Sequence, residues 1–73
     1  MYRPHIVRFA LMIYETYRYS LAEQIEIVRA KDRYSPRYRA AALRHIAIDA
    51  PLSVTLGRPF AERRRLVRRY YGI

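Results

Sequence analysis

Ser35-Pro36-Arg37-Tyr38-Arg39-Ala40-Ala41-Ala42-Leu43-Arg44-His45-Ile46-Ala47-Ile48-Asp49-Ala50-Pro51 carries a helix with both of its ends written in. Ser35 has the short hydroxyl side chain of an N-cap, and Pro36 suits the first helical position, where no backbone N–H is needed. Pro51 disfavours helical backbone at Ala50, so the helix closes at about Asp49. The inward stripe is Tyr38, Ala42, Ile46 and Ala50, flanked by Leu43. The Ala40-Ala41-Ala42 triplet leaves room for another helix to cross closely, and it also has high helix propensity.

Working outward, apolar residues toward the N-terminus recur at steps of three and four: Ile6, Ala10, Ile13, Tyr17, Leu21, Ile25 and Val28. That spacing predicts a helix over about residues 4–30. Glu15, Arg18, Glu23, Glu26 and Arg29 take the opposite face, with Glu15/Arg18 and Glu26/Arg29 in pairing register. Phe9, Leu11, Met12 and Tyr19 add apolar surface outside the stripe, and a helix apolar nearly all round needs cover nearly all round. These four are therefore the expected partner-packing residues. Lys31–Tyr34 reads as a turn.

On the other side, Leu52–Gly57 alternates weakly and holds Val54 and Thr55, which predicts an extended connector or a lone short strand. Arg58-Pro59 restarts a helix over about 59–71, with Phe60, Val67, Tyr70 and Tyr71 as its apolar stripe and Leu66 at the edge. The fold class that follows is all-α: three helices and one extended connector in a single domain over 1–73, completed by packing on other subunits.

Composition narrows the possible roles. The chain has 73 residues, no Cys and no Trp, and a net charge of +9. Its 52% hydrophobic content is too high for a disordered chain, but so short a core is close to break-even against chain entropy. There is no disulfide framework, and His5 and His45 alone offer no structural zinc site. No uncharged run approaches the roughly 20 apolar residues that span a bilayer. Fourteen of the fifteen cations are Arg, and eight Tyr accompany them. Both types are enriched at protein interfaces, where Lys is depleted; a GC-rich gene would also favour Arg, though not Tyr.

The cations are unevenly placed. Residues 58–73 hold six Arg against one Glu, +5 of the total +9. Arg65, Arg68 and Arg69 are expected on one face with Arg64 at its boundary and Arg58 nearby, a cluster suited to acidic protein surfaces, anionic lipid head groups or the phosphates of RNA. Tyr70 and Tyr71 suit base stacking or core packing.

Catalytic constellations are sparse. His45 and Asp49 stand four apart, a spacing that suits a general base and its orienting carboxylate, but no nucleophile context accompanies them and a surface or interface pair is expected. Glu23 and Glu26 lack a His at metal-binding spacing and form a solvated face. Gly57 and Gly72 are isolated, so no glycine-rich phosphate loop exists. Neither an enzyme nor a cofactor or small-molecule substrate is expected.

Thr16-Tyr17-Arg18-Tyr19-Ser20-Leu21 resembles part of the Leu-Tyr-Arg motif that opens a family of small, basic, three-helix mitochondrial proteins. Thr16 stands where that motif has Leu, and no Phe occupies the family's position near the end of helix two, so the chain is not assigned to the family. Met1 precedes the bulky Tyr2, which leads to the expectation that no presequence is removed, and both termini are expected to be held by neighbouring subunits. Arg3 and Arg8 precede the first acid, Glu15, on an amphipathic segment of the kind used in mitochondrial targeting. The expectation is a non-catalytic accessory subunit of a large assembly, a mitochondrial inner-membrane energy-conversion complex (respiratory chain or ATP synthase), peripheral to the membrane. A small ribosomal or other RNA-binding protein is the alternative. A repressor-like DNA-binding domain is disfavoured by the long connector and by having Gln24 as its only Gln, with no Asn.

Overall fold

The computed structural model describes residues 18–73, and all regular structure among them is helical. The four helices are α1 (Leu21–Arg29), α2 (Pro36–Asp49), α3 (Leu52–Thr55) and α4 (Phe60–Tyr71). The expectations for Phe9, Leu11 and Met12, and for the helix start near residue 4, lie outside the described residues.

α2 matches its expected bounds, for the expected reasons. The Ser35 hydroxyl accepts from the Tyr38 N–H at 3.2 Å, and Pro36 occupies the first turn. Ala50, before Pro51, turns extended at ψ 144°, while its N–H closes the last turn on the Ile46 carbonyl.

α1 starts later than its periodicity implied. Arg18–Ser20 are not helical, and Ser20 is an N-cap with extended backbone (φ −67°, ψ 164°). Its hydroxyl accepts from the Glu23 N–H at 3.2 Å and donates to the Glu23 carboxylate at 3.1 Å. Ser-x-x-Glu is a helix-start signature, and here it outweighs the apolar spacing that runs through it. The buried Gln24 amide donates to the Tyr19 carbonyl at 3.1 Å and ties down the preceding turn.

The connector is a correction too: Leu52–Thr55 forms one helical turn, not an extended segment. Pro51 presets the backbone at its N-cap, and the turn buries Val54 and Thr55, so packing overrides their β-branched preference. α3 ends at Leu56, whose backbone is left-handed (φ 56°, ψ 22°), and Gly57 follows at φ 65°.

α2 is the central element. It packs against both α1 and α4, and α3 leans on α4. One cluster joins Ile27 and Val28 of α1, Ala42, Ile46 and Ala47 of α2, Val54 of α3 and Val67 of α4. Tyr38, Leu43 and Ala50 close its edges from α2, with Phe60, Tyr71 and Ile73 from the C-terminal side. Alanines at the crossings let the backbones approach closely. Tyr34 and Tyr38 stack at 5.2 Å between ring centroids, beside the turn that joins α1 to α2.

Candidate functional site

The placement of the arginines follows from how α4 is rolled on the core. Val67 is fully buried, with Phe60 and Tyr71 half-buried on the same side. At 100° per residue, Phe60, Val67 and Tyr71 lie within about 40° of one another, while Tyr70 stands about 60° further round. Tyr70 is accordingly 67% exposed and leaves the expected stripe; its ring meets Tyr71 edge-on at 5.0 Å. Gly72 ends the helix in left-handed backbone, and Ile73 returns to the core with its N–H on the Arg68 carbonyl.

With that roll, Arg64, Arg65, Arg68 and Arg69 are all exposed and have no acceptor among the described residues. At 100° per residue Arg68, Arg65 and Arg69 lie within about 100° of one another, with Arg64 at the edge of that arc, and two hollows border it. Arg65 and Arg69, one turn apart, join Leu56, Arg58, Glu62 and Leu66 around a groove of about 770 Å³. Arg64, Arg65 and Arg68 surround a second hollow of about 500 Å³ with Leu43 and Ala61. Arg65 belongs to both.

Arg58 is held in place. Its Nε lies 2.7 Å from Glu62 Oε2, and its carbonyl accepts from Arg63 Nε at 2.6 Å. Both side chains of the ion pair are about half exposed, so its value lies in orientation more than stability. Glu62 is the groove's only acid and is already paired. The groove therefore offers two unneutralised guanidinium groups, Arg65 and Arg69, between two leucines.

Other arginines have inward work that spacing along one helix could not reveal. Arg39 donates to the Val28 carbonyl at 2.8 Å, satisfying the end of α1. Arg29 pairs with Glu26 at 3.3 Å and donates to the Tyr71 carbonyl at 2.8 Å, at the end of α4. Cations at helix C-termini meet both orphan carbonyls and the negative end of the dipole. Arg44 lies over the Phe60 ring at 5.2 Å.

Among the remaining candidates, Tyr19 is 40% exposed and lines a shallow groove with Ala22, Glu23, Glu26, Ile27, Arg33 and Tyr34. Glu23 serves the α1 cap and Glu26 pairs with Arg29. Of the expected surface or interface pair, His45 is buried and Asp49 is exposed. Gln24, the sequence's only amide side chain and so the only one suited to bidentate reading of adenine, is buried and bonded to backbone. Of the residues lining the larger groove, sequence reasoning missed Leu56, because an extended connector gave its side chain no reason to face α4.

Among the described residues no helix is long and apolar enough to cross a membrane. No protein-family model, characterised protein or solved structure matches this chain.

Proposed function

We propose that the chain is a non-catalytic accessory subunit that docks into a larger multiprotein assembly through α4 and the connector before it. The observation that supports this most is the division of labour among its arginines. Arg29 and Arg39 are consumed in ending helices, whereas Arg64, Arg65, Arg68 and Arg69 project from α4 without any acceptor in the described chain. Arg is enriched at protein interfaces because its planar fork binds carboxylates in pairs. Exposed Leu52, Leu56 and Tyr70 add apolar area in the same C-terminal stretch of the chain.

The setting we favour is a mitochondrial inner-membrane energy-conversion complex, respiratory chain or ATP synthase, with the chain peripheral to the membrane. Its support is compositional: one Lys among fifteen cations, eight Tyr, and Arg3 and Arg8 preceding the first acid. Acidic subunits are the partners proposed for the Arg surfaces, and anionic lipid head groups can share them. Native electrophoresis of fractionated source cells tests this. Co-migration of the chain with an inner-membrane complex is expected; recovery as a free small monomer overturns the reading.

RNA is the second reading, because exposed Tyr70 beside free guanidinium groups also suits a phosphate backbone with a stacked base. It requires binding that weakens by roughly one log unit per log unit of salt for each phosphate contacted.

A further inference from the structure

We infer that the groove between α4 and the Leu56–Arg58 connector before it is the docking site itself, and that its occupant is an acidic polypeptide segment presenting an apolar side chain between carboxylates. This rests on the accessory-subunit reading and names the partner's chemistry at one site.

The observation that singles out this groove is Leu56. Its backbone is left-handed (φ 56°, ψ 22°), a region that Gly enters freely and a branched apolar residue does not. A glycine or asparagine would end α3 there without strain. Gly57, also left-handed, sits one residue later, so the chain has the suitable residue at hand but not at this position. Leu56 is also 65% exposed. Strain and an exposed apolar side chain thus fall on one residue, and that residue lines the groove. Both penalties are offset if a partner buries Leu56.

The groove's chemistry specifies what buries it. Leu56 and Leu66 supply apolar wall, and Arg65 and Arg69 flank it one helical turn apart with free guanidinium groups. Arg58 is fixed at the rim by Glu62 at 2.7 Å. An apolar side chain fits between the leucines, and carboxylates on either side of it reach the two arginines. The sugar-phosphate chain of RNA satisfies the arginines but offers Leu56 no apolar cover. A lipid surface favours apolar residues on a projecting face, whereas Leu66 is half-buried in a concave wall. An acidic, leucine-bearing segment answers both features.

The test uses the full chain and three defined probes. These are a 14-residue peptide with one leucine flanked by glutamates, unilamellar vesicles of phosphatidylcholine with phosphatidylglycerol, and poly(U). Binding is read by fluorescence anisotropy or co-sedimentation, and thermal unfolding is followed in parallel. The peptide is expected to bind more tightly than vesicles or poly(U), and Leu56→Gly is expected to weaken it at least ~10-fold while the melting temperature holds or rises. Arg65→Gln with Arg69→Gln should give a similar loss, as should replacing the peptide's leucine by serine. The inference is overturned by undetectable peptide binding, by tighter binding to vesicles or poly(U), or by a Leu56→Gly chain that melts lower and binds the peptide unchanged. Native electrophoresis separates this from the broader proposal: a Leu56→Gly chain that still assembles removes the groove but leaves the accessory-subunit reading standing. Peptide binding by a chain found in no assembly does the reverse.

Discussion

The two halves of the described chain solve the same problem in opposite ways. α1 and α2 each begin on a serine whose hydroxyl accepts from the third residue beyond it, and α1 ends with its Val28 carbonyl held by Arg39. α3 and α4 begin on Pro51 and Pro59 with no side-chain cap, and α3 ends on a left-handed leucine. In the first half Ser20, Ser35 and Arg39 close helix ends; in the second, Arg63 holds the Arg58 carbonyl while Arg64, Arg65, Arg68 and Arg69 face outward. The first half reads as scaffold, and the second as the surface the scaffold presents.

The sharpest way to break that contrast is at the shared core. Ile46 is fully buried where α2 meets the other helices, and Ile46→Ala should cost about 2–5 kcal/mol, enough to unfold so small a core at ordinary temperature. Circular dichroism that retains a cooperative melt near the parent temperature would show that the halves do not depend on a common core.

The arginines come next. Arg39→Gln removes the charge-assisted bond to the Val28 carbonyl and should destabilise by about 1–2 kcal/mol, whereas Arg65→Gln should change stability by less than about 0.5 kcal/mol. Paired urea melts read the difference. Equal effects would erase the distinction between inward and outward arginines. At the caps the two serines should behave alike: Ser35→Ala and Ser20→Ala should each cost about 1 kcal/mol, since both caps are exposed. A silent Ser35→Ala would mean that Pro36 alone sets the start of α2.

Much of this architecture was legible where the signals are local. Ser35, Pro36 and Pro51 delimit α2 through backbone chemistry that needs no tertiary partner, and Pro59 does the same for the start of α4. The start of α1 was legible as well, in Ser20 and Glu23, but apolar periodicity running through Tyr17 and Leu21 masked it. Two further features were not open to local reading. Val54 and Thr55 are helical because the core they enter is assembled from three other helices. Arg29 meets Tyr71 across 42 residues, so no spacing rule distinguishes it from a solvated cation. The Arg-rich character of α4 was plain in the composition, but its division into two hollows depends on a helix roll set by Val67, together with the position of Leu56.

Ala42 and Ala47 are both fully buried within the core cluster, at the helix through which α1 and α4 meet. Their methyl groups fill core positions that a larger side chain would otherwise occupy. A valine at either position has no free space to enter, and the nearest relief is outward movement of a neighbouring helix. That movement would also strain the Arg29–Tyr71 bond, which needs the ends of α1 and α4 kept close. In a mutational scan, the narrowest tolerance should therefore fall on these small residues, while the conspicuous arginines of α4 accept replacement until a partner is present.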